Sequence, residues 1–274
     1  MRKKVVLLSC CFMLLLIFQA KGWGAVSSSG FSISGAVQQP IRLAAEDLAK
    51  FQSSTVRLNE VDRDEFYSGA FYYRGIPLRT ILEMAHIQKE DASFSKFLDV
   101  CIVIRNAVGK QVVLSWGEVF YRNPAEFIIA FAAEPVLPEL PQGREKWQNT
   151  LNRPIGFPKL IIASDLYTDR CMESIVSIDV MVLNPSMKIR NADDQYVPSF
   201  AVDGAVKTPL IISDLSGWPR ESATIKVTGS LKGYHGVQHV SGVPLVKLLE
   251  KAGATMDIST VYLVTHSDGY RAAV

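Results

Sequence analysis

The sequence predicts an α+β fold with mixed sheets, laid out as one domain unit followed by an incomplete second copy of it. Three observations carry that expectation. Phe31-Ser32-Ile33-Ser34-Gly35-Ala36-Val37-Gln38-Gln39-Pro40-Ile41 returns as Phe200-Ala201-Val202-Asp203-Gly204-Ala205-Val206-Lys207-Thr208-Pro209-Leu210, with Phe, Gly-Ala-Val and Pro in register. Short β-branched and apolar runs dominate between the turn residues, which favours strands. Helical spacing appears in only a few places, so helices and strands do not alternate as they would in a parallel α/β fold.

At the N-terminus, Arg2, Lys3 and Lys4 precede an almost unbroken apolar run from Val5 to Ala20, with Gly22, Gly24 and Ala25 after it. A basic start, an apolar stretch and small residues make a Sec-type signal peptide over 1–25 and a periplasmic or secreted protein. The other reading is a retained membrane anchor, because the run is only slightly shorter than the ~18 residues of a spanning helix. Cys10 falls too early in the run for a lipoprotein signal. Without the signal, Cys101 and Cys171 are the remaining thiols, too few for a disulfide framework, and their pairing is left open.

The first copy is read over 26–183. Gly35 follows a short alternating strand and permits a turn with positive φ, and Pro40 fixes the chain before a helix start at Asp47-Leu48. After Gly75-Ile76-Pro77, Leu78, Ile81, Leu82 and Ala85 fall on one face of an amphipathic helix. Gln111 to Leu114, Phe127 to Phe131, Leu160 to Ala163 and Ile175 to Val182 read as strands. Cys101, in Asp99-Val100-Cys101-Ile102-Val103-Ile104, reads as a small buried hydrophobe.

A polar stretch at 184–199, with Pro185, Asn191, Asp193 and Asp194, reads as the linker. The partial second copy spans 200–274 and keeps the order of the first. Asp214-Leu215 and Trp218 match Asp47-Leu48 and Phe51, and Ile225-Lys226-Val227 matches Val56-Arg57-Leu58. Gly242-Val243-Pro244-Leu245 with Leu248, Leu249 and Ala252 matches the helix, ended by Gly253. Leu263-Val264 and Gly269 match Val103-Ile104 and Gly109. A period of about 170 residues marks a duplicated domain, since arrays repeat every 20 to 50. Val274 corresponds to Leu114, so residues 115–183 have no counterpart; the expectation is a longer natural chain, or cover supplied by copy one.

The bulk composition is ordinary. With 29 Lys+Arg against 27 Asp+Glu, the net charge of +2 gives no reason to expect a polyanionic partner. The aromatics are not interleaved with basic residues as a single-strand binder needs, so no nucleic-acid partner is expected.

Gly-x-Val-x-x-Pro, Asp-Leu, Gly-Val-Pro-Leu-x-x-Leu-Leu-x-x-Ala-Gly and a closing Ser267-Asp268-Gly269-Tyr270 together resemble the molybdopterin-binding domain of sulfite-oxidase-type oxidoreductases. Copy one is similar to the family's later segment as well, through Gly156-Phe157-Pro158-Lys159-Leu160-Ile161-Ile162, Asp165, Tyr167-Thr168-Asp169-Arg170 and Ile175-Val176-Ser177-Ile178. The resemblance implies a sulfite-oxidase-like mixed-sheet fold, molybdopterin as the cofactor to test, and a cysteine thiolate to the metal on the strand before the Gly-Val-Pro-Leu turn. The matching stretches, Leu58-Asn59-Glu60-Val61-Asp62-Arg63 and Val227-Thr228-Gly229-Ser230, hold no cysteine. The family's exported members load cofactor before folded transport, which Arg2-Lys3-Lys4 does not signal.

The resemblance also implies a basic residue near the cofactor pocket, and Arg170, with Asp165 and Tyr167, matches that place; an arginine fork suits phosphate. The competing reading of Asp165, Asp169, Arg170 and Glu173 is a salt-bridged turn. His235 and His239 are spaced like a ligand pair, but the glycines around them oppose a helix and no metal site is expected. Trp116 reads as a core or rim aromatic. The leading expectation is an exported, non-catalytic ligand-binding or interaction module. The alternatives are a molybdopterin-dependent oxidoreductase with an unusual metal ligand, and a structural partner of a periplasmic redox protein. Membrane contact is expected only through an uncleaved signal.

Overall fold

The computed structural model describes residues 26–27, 30–90, 94–137, 139, 144–146, 152–183, 197–229 and 233–274. The expected signal peptide and most of the linker lie outside these residues.

In chain order, β1 (Val26–Ser27), β2 (Phe31–Gly35) and β3 (Ile41–Leu43) lead to the short helix α1 (Ala45–Leu48). The long hairpin β4 (Ser54–Val61) and β5 (Tyr67–Pro77) runs into α2 (Leu78–Met84), then β6 (Val100–Asn106), β7 (Gln111–Ser115) and α3 (Trp116–Tyr121). β8 (Phe127–Pro135), β9 (Gly156–Phe157), β10 (Lys159–Ile162) and β11 (Ile175–Val182) follow. After residue 199 come β12 (Phe200–Val202), β13 (Leu210–Ile212), β14 (Glu221–Gly229), β15 (Gly233–Gly242), α4 (Leu245–Ala252), β16 (Leu263–Thr265) and β17 (Arg271–Ala273). The class is α+β, mostly sheet with few helices.

Two sheets make the body of the first part. One is four-stranded and antiparallel, in the order β10-β8-β5-β4; the other is five-stranded and mixed, in the order β3-β2-β11-β6-β7, with β2 and β11 parallel. The main core lies between them and around α2 and α3. Side chains alternate across each strand, so Phe127 and Ile129 of β8 enter the main core while Ile128 and Ala130 enter a second cluster with Leu58, Phe71, Tyr73 and Ile161. Both faces of β8 are therefore apolar, which explains its uninterrupted Phe-Ile-Ile-Ala run. β6 divides in the same way: Val100, Ile102 and Ile104 face the main core, while Cys101 and Val103 face a small cluster with Val113, Leu183 and Val261.

The C-terminal residues pack on that outer face. Val113 N–H donates to Ile258 O at 2.9 Å, and Arg271 of β17 donates to Asp99 Oδ2 at 2.8 Å. Lys89 reaches the same carboxylate at 2.7 Å, and the three side chains are at most 5% exposed. Lys89 and Arg271 also lie over the Phe94 ring, 4.4 and 4.8 Å from its centroid, and Phe94 meets Tyr270 edge-on. Asp99 is thus a buried anion held by two cations from distant segments.

Several expected local features are present: α2, α4 and β11 occur where the pattern predicts them, and Gly35 and Gly204 have φ of 91 and 88 degrees. One is not. Asp214-Leu215 starts no helix, because the Asp214 carboxylate accepts from Ser216 N–H (2.8 Å) and Ser216 Oγ (2.6 Å), and Gly217 and Pro219 follow at once. The local side-chain turn outcompetes a helix at that point.

Candidate functional site

Of the residues singled out from sequence, Asp165 and Arg170 come together, while Tyr167 only precedes the turn that carries Arg170 and makes no cap hydrogen bond with its side chain. A 3-10 turn over Thr168–Arg170, with Tyr167 just before it, swings the Arg170 side chain back over Asp165. The guanidinium makes a two-pronged contact, Nε to Oδ2 at 2.7 Å and Nη2 to Oδ1 at 2.6 Å. Its remaining nitrogen, Nη1, donates to Glu118 Oε1 at 2.7 Å. The fork that would suit phosphate is therefore filled by two carboxylates. Asp169 and Glu173 do not join this group.

Glu118 was not anticipated, although Ser115-x-x-Glu118 is a capping-box pattern. Its Oε2 accepts from Ser115 N–H at 2.9 Å and Ser115 Oγ at 3.1 Å, closing the start of α3, while Oε1 takes Arg170. Burial pushes this carboxyl up, but the Ser115 N–H and the Arg170 cation more than offset that and hold it below 4.5.

The stretch where the resemblance places a metal thiolate contains a different chemistry. Glu60 sits on the inward face of β4, two residues after Leu58, and is 5% exposed. Its Oε1 accepts from Tyr73 Oη at 2.5 Å and from Lys159 Nζ, and its Oε2 accepts from Arg153 Nη2 at 2.5 Å. Lys159 also donates to Tyr73 Oη (3.0 Å) and to Glu173 Oε1 (3.1 Å), and Arg153 Nη1 donates to Glu173 Oε1 at 3.0 Å. Gly156 N–H donates to the other oxygen of Glu173. Burial raises the Glu60 carboxyl, yet the Lys159 charge outweighs it and the group is lowered overall; burial and the Glu60 charge raise the Tyr73 hydroxyl. Glu60 thus spends both oxygens on neighbours, and a closed ionic cluster stands where a soft ligand would be needed. The donor set does not fit a thiolate-bound metal.

Neither remaining cysteine supplies that ligand. Cys101 and Cys171 are both free thiols, and burial pushes each up to about 11. Cys171 is partly exposed as a residue, but its sulfur is enclosed and accepts from Ile162 N–H at 3.5 Å. His235 and His239 lie exposed on β15, with His239 Nδ1 3.0 Å from Thr224 Oγ1. Among the described residues no group of three or more metal-ligating side chains gathers. Trp116 stacks between Phe97 and Phe120 at the edge of the main core.

A cleft of about 410 Å³ opens beside the Arg170 cluster. Glu118, Arg122 and Arg170 line one side, and Thr260, Val261 and Ala273 line the other. No helix among the described residues is long and apolar enough to cross a membrane.

No family model matches the chain, and no curated protein does. Among solved structures, the sulfane dehydrogenase SoxCD from Paracoccus pantotrophus aligns at 16% identity with a TM-score of 0.38, over 57% of this chain and 40% of that one. The chain thus spans well under half the length of that protein. A likeness at this level leaves the chemistry to be argued from the residues themselves.

Proposed function

We propose that this chain is an exported, non-catalytic binding or interaction module, built from a molybdopterin-binding-like unit that occurs as copy one over 26–183 and a partial copy two over 200–274. The observation that carries the loss of catalysis is Glu60. It stands in the stretch matching the family's metal thiolate, with its carboxylate fully engaged by Tyr73, Lys159 and Arg153. An acid locked to two cations is a poor soft-metal ligand, and displacing it would take from Lys159, whose side chain is 4% exposed, the nearer of its two carboxylate partners.

The duplication is supported by register rather than by outline. β4 faces β5 with Glu60 opposite Gly69 and Val61 opposite Tyr67, separated by a bulge; β14 faces β15 with Val227 opposite Gly236 and Thr228 opposite Tyr234, separated by a bulge at the equivalent place. This pairing sets Ile225 against Leu58 and Val227 against Glu60, two residues away from the match of Ile225-Lys226-Val227 with Val56-Arg57-Leu58 that the sequence pattern suggests. Gln38 and Gln39 N–H donate to the carbonyls of His86 and Ala85 after α2, as Lys207 and Thr208 N–H do to Gly253 and Ala252 after α4. In this reading the cleft beside Glu118, Arg122 and Arg170 holds the ligand.

The test is elemental. Protein purified from its own periplasm is assayed for molybdenum and tungsten by mass spectrometry, and for pterin fluorescence after denaturation. Traces far below one equivalent in a well-folded sample are expected; stoichiometric metal with released pterin overturns the proposal in favour of an oxidoreductase with an unusual ligand.

A further inference from the structure

The hairpins β6–β7 and β16–β17 have the same internal bonding. Asn106 N–H donates to Lys110 O at 3.1 Å and His266 N–H to Tyr270 O at 2.7 Å, and Gly109 and Gly269 close the two turns with φ of 84 and 89 degrees. Val103 lies opposite Val113 as Leu263 lies opposite Ala273. In this register Leu98 is equivalent to Ile258, Asp99 to Ser259, Cys101 to Val261, Gln111 to Arg271 and Val113 to Ala273.

The contacts between the copies are reciprocal in these terms. Val113 of copy one donates its N–H to Ile258 O of copy two, while β17 of copy two lies against the 3-10 turn Phe97–Asp99 of copy one, where Arg271 donates to Asp99. Each copy thus offers the last strand of its hairpin to the segment that leads into the first strand of the other. Between these two contacts, Val261 packs against Cys101, Val103 and Val113, and so meets its own equivalent. The meeting sides are buried alike, with Val113 8% and Ala273 6% exposed. Contacts in which one patch meets the same patch in its partner mark a two-fold interface, whereas head-to-tail packing joins two different patches.

We infer that the outer face of the β6–β7 hairpin is a self-recognition surface whose partner is a second copy of the same unit, here joined to it in one chain, the two docking about a pseudo-two-fold axis that passes beside Cys101 and Val261. The inference rests on the duplicated-unit reading, which supplies the equivalent positions. The axis relates the Arg271–Asp99 bridge to a second position formed by Gln111 and Ser259. That position is neutral, and both residues bond within their own copy: Gln111 Oε1 accepts from Arg105 Nε at 3.1 Å, and Ser259 donates to Asp257 Oδ1 through its N–H (2.8 Å) and its Oγ (2.6 Å). Opposite charges placed there should therefore form a second bridge between the copies.

The test is made in the full chain carrying Asp99→Asn, which removes the existing bridge. Gln111→Arg with Ser259→Asp is expected to slow proteolytic cleavage within 258–274 by about two- to fivefold, the range of an exposed ion pair, and Gln111→Arg with Ser259→Arg is expected to speed it. The same two pairs in the parent chain are read by thermal midpoint, where the opposite-charge chain is expected to melt above the like-charge one. Equal cleavage rates and equal midpoints for the two pairs overturn the two-fold docking. The repeat is tested separately by Leu263→Cys with Ala273→Cys, directly opposite each other in β16–β17 and expected to form a disulfide on oxidation. Failure to form it overturns the repeated hairpin and this inference with it; a disulfide without any charge-pair effect overturns the docking alone. Neither readout depends on molybdenum content, so the outcome is separate from that of the elemental test.

Discussion

Replacing Asp99 by asparagine keeps the shape of the side chain and removes the negative charge that the buried cations Lys89 and Arg271 share. Removing one member of a buried ion pair typically costs about 3–5 kcal/mol, because the stranded charge keeps its desolvation penalty. Two local features set where in that range Asp99→Asn falls. Lys89 Nζ also donates to the carbonyls of Phe94 and Lys96, which partly replace the lost partner. The Arg271 side chain is only 5% exposed, and its Nε loses the Asp99 carboxylate. The expected loss is therefore about 3 kcal/mol, whereas the pair Asp47–Lys50, with side chains 36% and 71% exposed, is screened by solvent and contributes little. At roughly 2–4 °C per kcal/mol for a chain of this class, the melting midpoint falls by about 6–12 °C. Thermal denaturation followed by circular dichroism reads this directly, and limited proteolysis is expected to cut first within 258–274. A triple variant, Lys89→Met, Asp99→Leu and Arg271→Met, is expected to recover most of the loss, since apolar side chains of similar volume bury without a charge penalty. An Asp99→Asn midpoint within about 2 °C of the parent, under 1 kcal/mol, or a triple variant as unstable as the single, refutes the argument.

Two further outcomes are expected. Gly35→Ala and Gly204→Ala both force an L residue into positive φ, but a Cβ at Gly35 lands on the Val180 carbonyl oxygen and one at Gly204 meets nothing within 4 Å. Urea denaturation should show a loss of about 1 kcal/mol at Gly204 and a loss larger by roughly 1–3 kcal/mol at Gly35; equal losses contradict the close approach. Acidification is the second test. The Glu60, Glu118 and Glu173 carboxyls are lowered in the folded chain, so the unfolded chain binds protons first, and their stabilisation is complete above 4.5 and lost as the pH falls below it. Glu118→Gln should flatten the acid limb of a stability–pH curve, and an unchanged limb would show that Arg170 does not hold it.

What the sequence made legible was local. The spacing of Leu78, Ile81, Leu82 and Ala85 places α2, and the β-branched run from Ile175 to Val182 is β11 residue for residue. Glu60 and Lys159, which share the inward faces of their strands with Leu58 and Ile161, did not stand out in the sequence. Which charge pairs with which was not legible either. Glu60 and Lys159 are separated by 99 residues, and Glu118 and Arg170 by 52. Periodicity reports the face a residue points to, whereas its partner depends on strand order, and no single strand encodes that. The Asp214 turn was missed for the opposite reason: there the short-range competition of a side chain with the backbone decides the conformation.

The Asp99 cluster also sets a clock. Lys89 is synthesised just before Asp99, but Arg271 emerges 172 residues after it, which at roughly 5–20 residues per second is a wait of about 10–35 s. Until then the aspartate has one of its two cations, and the outer face of β6, with Cys101 and Val103, has no Val261 to cover it. The covering of the outer face of β6 is thus timed by the arrival of Val261 and Arg271.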